Sequence, residues 1–262
     1  MKNYKRVGFT CMLLCAGGSA LAADDTRGLG TGAGVEAPEP GWKVPYIGID
    51  AGQSTYFAYS GVVWALNKNM GTPGVLFNVF VGNGQFKYAS DAYASGLAAG
   101  SIFMANALVG YRTFGQTYSL TGFIGVDSTN VTLPPVDRAS ENQGRKTGIR
   151  ATLDYETNNY NKPYLAVSLS YSSALDSYSV RLRPGYRVDA YAFGPEVSFH
   201  GSNLGDYQHL GLFSNYSQSA GKWGIFSVSA SGGWAFSDQG DGNFVGGIRN
   251  GPYGDMTLSL FY

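Results

Sequence analysis

Residues 177–188 read SYSVRLRPGYRV, and their chemistry changes at every position. Tyr178, Val180, Leu182, Pro184 and Tyr186 fall on one side of an extended chain, and Ser179, Arg181, Arg183, Gly185 and Arg187 fall on the other. A sandwich strand also alternates, but its wet face carries Lys and Glu. Here the polar side is Ser, Gly and Arg. An apolar face against lipid and a small polar face against a confined lumen fit a transmembrane β-barrel. The same pattern recurs where Ile149, Ala151, Leu153 and Tyr155 alternate with Arg150, Thr152, Asp154 and Glu156. It recurs again where Tyr191, Phe193, Pro195, Val197 and Phe199 alternate with Ala192, Gly194, Glu196, Ser198 and His200.

Composition agrees with that reading. The 262 residues include 18 basic and 18 acidic side chains, only 14% charged in all, with 15% aromatic and 38 glycines. A mean hydropathy of -0.10 with so many rings means apolar residues diluted by polar ones at short period. Disorder is excluded. Without a basic excess there is no electrostatic footprint for nucleic acid.

The chain opens as an export signal over residues 1–22. Lys2, Lys5 and Arg6 precede an apolar run from Val7 to Leu14, and Ala20-Leu21-Ala22 forms a small-residue cleavage site. Cleavage there removes both cysteines, Cys11 and Cys15, so no disulfide framework is expected. Leu14 is too large for a lipoprotein site before Cys15. Residues 23–41 are rich in Gly and Pro and read as a flexible periplasmic leader; the glycines at 28, 30, 32 and 34 lack the flanking strand and helix of a phosphate loop. Residues 42–262 are expected to form the barrel, and no later stretch has the roughly 18 apolar residues of a membrane helix.

Twelve strands are expected, near 44–51, 55–66, 75–86, 97–112, 116–127, 147–157, 162–172, 177–188, 191–199, 206–217, 223–235 and 253–262. An even count in an up-and-down antiparallel barrel puts both termini at one end, expected to be periplasmic. The tight connectors 113–116, 189–190 and 219–222 then share that side, while the long ones, 128–146 and 236–252, lie outside. The chain closes on GDMTLSLFY (254–262), alternating and ending in an aromatic residue, like the assembly signal of bacterial outer-membrane barrels. Trp42, Trp64, Trp223 and Trp234 fall near strand ends, where interfacial girdle residues belong.

Four stretches carry a family likeness: FAYSGVVWALN (57–67), ALVGYRTFGQTYSLTGFIGVD (107–127), SYSSALDSYSVRLRPGYRV (170–188) and FGPEVSFHG (193–201). In this order and spacing they resemble the cellulose biosynthesis protein BcsS family. The most specific part is Asp176-Ser177-Tyr178 running into Gly185-Tyr186-Arg187 and Gly194-Pro195-Glu196. The resemblance implies an exported outer-membrane accessory of bacterial cellulose biosynthesis, export or surface anchoring, and no enzymatic activity is expected. Its implied partners are outer-membrane lipid and cellulose or other cellulose-synthesis components.

For the lumen, Arg181, Arg183 and Arg187 share one strand face and Arg150 faces inward from another strand. Such a stripe has two readings. It guides anionic solutes or acidic oligosaccharides through a narrow pore, or it pairs with Asp154, Glu156 and Glu196 in a satisfied network. A two-residue turn at Asp189-Ala190 sets Arg183 opposite Glu196 and Arg187 beside Ala192.

A third class is a lipid hydrolase. His200 and Ser202, in His200-Gly201-Ser202-Asn203, are similar to the histidine and serine of outer-membrane lipid A deacylases. The acid expected about a dozen residues later is missing, because that region reads Leu212-Phe213-Ser214-Asn215. No cofactor is expected, and no metal site, since the only other histidine is His209 and no HExxH or CxxC occurs.

Overall fold

The computed structural model describes residues 41–89, 93, 97–134, 143–158, 162–202, 205–237 and 250–262. The expected signal peptide, 1–22, and all but the last residue of the leader, 23–41, lie outside the described residues. Twelve strands follow in order: β1 (Lys43–Gly52), β2 (Thr55–Ala65), β3 (Gly74–Ala89), β4 (Leu97–Phe114), β5 (Tyr118–Thr132) and β6 (Gly144–Thr157), then β7 (Lys162–Ser172), β8 (Ser177–Val188), β9 (Tyr191–Ser202), β10 (Gly205–Ser219), β11 (Ile225–Ser237) and β12 (Gly251–Phe261).

Each strand pairs antiparallel with its sequence neighbours, and β1 pairs with β12, so the sheet closes into a barrel with no free edge. The seam is finished by the backbone of the last residue. Tyr262 O accepts from Trp42 N at 2.9 Å and from Lys43 N at 3.0 Å, and Tyr262 N donates to Lys43 O at 3.1 Å. Both described termini therefore lie at the same end.

Alternation in sequence becomes alternation in exposure. Outward aliphatic side chains are left bare, Leu212 at 69% and Ile149 at 60%, which only a lipid surround makes favourable. Rings frame this band. Tyr111, Tyr118, Tyr186, Tyr191 and Trp223 stand out at the end with the termini, and Tyr56, Tyr171, Tyr178 and Trp234 stand out towards the other. Trp42 is also exposed, while Trp64 stacks on Phe77 with centroids 5.8 Å apart.

Several strand boundaries differ from the sequence reading, most of all at the β5–β6 connection. β5 runs on to Thr132 and β6 begins at Gly144, so Asn130-Val131-Thr132 belongs to a strand and not to a loop. Above the lipid-facing Val126, the outward residues of β5 are Ser128, Asn130 and Thr132, so the apolar period fades while backbone pairing continues. At the other end Gly221–Trp223 is a 3-10 turn, and β11 starts at Ile225; Gly224, at a φ of 93°, breaks the extension between them.

The interior divides along the barrel wall. Strands β1 to β5 point Tyr46, Phe57, Tyr59, Phe80, Phe86 and Phe123 inward, and the later strands point mostly Arg, Asp, Glu, Ser and His inward.

Candidate functional site

The charged half of the lumen is built on the β8–β9 hairpin. Asp189, at a φ of 49°, and Ala190 turn the chain, and Val188 pairs with Tyr191. Tyr186↔Phe193 and Leu182↔Val197 carry the same register through the hairpin, which sets Arg183 against Glu196. Arg183 Nε donates to Glu196 Oε2 at 2.5 Å. Glu196 is fully buried, and its other oxygen accepts from Tyr253 OH and Ser231 Oγ, each at 3.1 Å. Arg181 Nε lies 3.9 Å away. A carboxylate withdrawn from water is tolerable only with this density of donors.

The network continues across the interior. Arg181 Nη2 and Arg183 Nη2 lie 3.7 and 3.8 Å from the Asp255 carboxylate of β12, and Asp255 pairs directly with Asp50 of β1. The Ser231 hydroxyl lies between Glu196 and Asp255, with one proton to give to either. Arg183 Nη1 also reaches Ser229 Oγ at 3.4 Å; Ser229 donates to Asn215 at 2.7 Å, and Asn215 donates to Tyr164 OH at 3.2 Å. Side chains from β7, β8, β9, β10, β11 and β12 are thus joined in one network inside the barrel.

Towards the end carrying the termini, Arg187 Nη2 meets Glu156 Oε1 at 2.6 Å. These groups come from β8 and β6, and the small Ala166 of β7, opposite both Glu156 and Arg183, leaves room between them. The Arg187 guanidinium also lies 4.9 Å from the centroid of the Tyr164 ring. A separate pair joins Arg150 Nη2 to Asp127 Oδ2 at 3.0 Å, with Ser172 Oγ on the same oxygen at 2.5 Å. Asp127 sits diagonally from Arg150 across the β5–β6 ladder, opposite the bare Gly148.

The structure brings together Arg181, Arg183 and Glu196, and separately Arg187 and Glu156. Arg150 turns to Asp127 instead of the carboxylates of its own strand. Asp154 accepts from its cross-strand neighbour Ser168, with Arg112 and Arg181 close enough to act on it electrostatically. Asp50, Arg112, Asp127 and Asp255 are the lumen charges that sequence reading missed. Each stands alone within its own strand, so no stripe marks it.

On the apolar half, rings are seated over glycines. Tyr59 lies over Gly48, Tyr46 over Gly61, Phe57 over Gly82 and Phe86 over Gly100, each where a Cβ would collide. Phe57 and Phe80 stack at 6.4 Å, and the phenols are anchored, Tyr59 OH to Thr257 Oγ1 at 2.6 Å and Tyr46 OH to Asn78 Oδ1 at 3.0 Å.

His200 is inward and buried. Its Nε2 lies 2.9 Å from Ser198 Oγ, and its ring stacks on Tyr207 at 4.6 Å. Tyr207 adjoins His209 at 5.1 Å, and His209 stacks on Tyr253 at 4.0 Å. The histidine thus belongs to an aromatic column on β9, β10 and β12. Among the described residues no cluster of three or more His, Cys, Asp or Glu could hold a metal.

Comparison with solved structures gives barrels. "TodX deltaS2S3 mutant monoaromatic hydrocarbon channel" aligns over 85% of this chain and 90% of its own, at 9% identity and a TM-score of 0.52. "KdgM porin in complex with disordered oligogalacturonate" aligns over 84% and 98%, at 9% identity and a TM-score of 0.44. The first of these supports the fold. A search of curated protein sequences gives no match. The family model described as "Cellulose biosynthesis protein BcsS" matches residues 44–261, the whole strand-forming region apart from its first residue, Lys43.

Proposed function

This chain belongs to the cellulose biosynthesis protein BcsS family, and from that premise we propose that its barrel is a closed, non-enzymatic surface anchor for the cellulose apparatus. A role in cellulose biosynthesis and a place in the outer membrane follow from the family and the barrel fold. Anchoring, as opposed to conduction, is our reading of the lumen. It is carried by the Arg181–Arg183–Glu196–Asp255 network, which runs between β8 and β12.

A conduit for neutral glucan needs aromatic platforms open to the chain and free hydroxyl-bonding groups. In this lumen the rings are packed on glycines and on one another, and the guanidinium groups of Arg150, Arg181, Arg183 and Arg187 are engaged by carboxylates of the same barrel. The termini face the periplasm in this reading, where the shorter connectors also lie. Cellulose or other synthesis components then meet the barrel at its rims.

Two measurements test the reading together. A deletion strain is expected to lose surface-attached cellulose and to regain it with the wild-type gene. Purified protein is expected to give no stable conductance steps in a planar bilayer. Sustained channels in the wild type would overturn the closed-barrel reading in favour of a narrow anion pore, which the shared face of Arg181, Arg183 and Arg187 would then explain.

A further inference from the structure

On the lipid-facing side of β12, β1, β2, β3 and β4 lies a groove of about 560 Å³. Its shape follows from side-chain size. Ala58 and Ser60 point outward from β2, between Ile47 and Ile49 on β1 and Val81 on β3, with Phe103 of β4 closing the far bank. The small outward side chains at the middle of β2 leave a trough over Ala58 and Ser60.

The outward residues of β3 change character at this level. Val75, Val79 and Val81 are apolar and exposed; Asn83, Gln85 and Lys87 follow at every second position, also exposed. Asn83 stands directly beside Phe103, and Ile49 lies one strand beyond Ala58, so its amide sits within the apolar band. An exposed amide at that depth costs free energy unless a polar group of the surround meets it. Gln85 is level with Tyr56 of the aromatic girdle, and Lys87 lies about 13 Å of strand beyond Asn83.

We propose that the groove and this polar file bind a phosphorylated, multiply acylated glycolipid of the lipid A type. One acyl chain lies along β2, its carbonyl and sugar hydroxyls meet the Asn83 and Gln85 amides, and a phosphate meets the Lys87 ammonium. An apolar trough opening onto two amides and then a cation matches the order of groups in such a lipid from tail to headgroup. The assignment uses the orientation given above, with the end opposite the termini in the outer leaflet.

The test uses the full barrel in mild detergent, with bound lipid read by native mass spectrometry and by the shift in heat resistance. The probes are bisphosphorylated lipid A, dephosphorylated lipid A and phosphatidylglycerol. Lipid A is expected to be retained best. Lys87→Gln should weaken its retention roughly tenfold, as expected for loss of a charge-assisted contact. Ala58→Phe should fill the trough and abolish retention, while Leu210→Phe, on another sector of the lipid face, should change nothing. Equal retention of lipid A and phosphatidylglycerol, or wild-type binding by Ala58→Phe, overturns the proposal. Should Ala58→Phe fail to fold, Lys87→Gln at the exposed end of β3 decides: undiminished binding there overturns it as well. A conductance result that sinks the closed-barrel reading leaves this lipid measurement untouched.

Discussion

Arg183 and Glu196 face each other across the β8–β9 hairpin with Nε 2.5 Å from Oε2, and both side chains are almost wholly withdrawn from water. Glu196 accepts hydrogen bonds from Arg183, Ser231 and Tyr253 and lies 3.9 Å from Arg181 Nε, which makes it the group on which the charged half of the lumen depends.

Glu196→Gln removes the charge and keeps the shape, taking from two buried guanidinium groups one of the carboxylates that face them. Breaking a buried pair from one side typically costs about 3–5 kcal/mol. The temperature at which the unboiled protein loses its compact gel mobility should fall, with Glu196→Ala falling further. The double change Arg183→Met with Glu196→Leu should regain much of the loss, because no charge is then stranded at that pair. Wild-type heat resistance in Glu196→Gln would mean that the network contributes little.

Glycine placement gives a second expectation. A side chain at Gly48 would occupy the space of the Tyr59 ring, so Gly48→Leu should expel the ring and break its bond to Thr257. Overpacking of this kind costs roughly 1–3 kcal/mol. Tyr59→Phe keeps the ring in place and loses only the hydrogen bond, about 1 kcal/mol. Folded yield in detergent should therefore rank wild type, then Tyr59→Phe, then Gly48→Leu. Equal yields for the two variants would show that the ring has room to move.

The second half of the chain was the more legible, for a physical reason. In β8 and β9 the lipid face is apolar and the lumen face polar, so the sequence period reveals both the strand and its inward side. In β3 both faces are apolar, Val75, Phe77 and Val79 outward and Leu76 and Phe80 inward, so the strand was evident but its lining was not. The Arg183–Glu196 neighbourhood could be read because a two-residue turn fixes the register locally. Asp255 could not be read as a partner, since its approach to Arg181 depends on closure around the whole barrel, and Asp127 could not because the long connector between β5 and β6 leaves the register of that pair open in the sequence. The polar outward faces of β3 and β5 above the lipid band likewise carry no apolar signal, which placed the ends of both strands too early.

The absence of catalysis in our proposal is open to a direct check. His200 Nε2 engages Ser198, which is fully buried, and the chain lacks a carboxylate where a deacylase would carry one. Expression of the protein should leave the acylation pattern of lipid A unchanged in mass spectra, and Ser202→Ala and Ser198→Ala should match the wild type. An acyl chain lost on expression and restored in either variant would make the protein an enzyme.

The last residue offers a test that separates backbone closure from side-chain signalling. Tyr262 contributes its carbonyl and its N–H to the β1–β12 seam, while its ring stands half exposed at the girdle. Deleting it removes the acceptor for Trp42 N and Lys43 N and leaves the neighbouring Phe261, which is buried, at a fraying end. Closure should then fail for most molecules, with little heat-modifiable protein recovered. Tyr262→Ser keeps the backbone bonds and loses the ring, so the assembled barrel should resist heat nearly as well as the wild type. The same variant should nevertheless assemble slowly in cells, because a terminal aromatic is the feature that resembles the assembly signal. Rapid assembly of Tyr262→Ser would assign the residue to the seam alone, and efficient closure of the deletion would show that the seam holds without it.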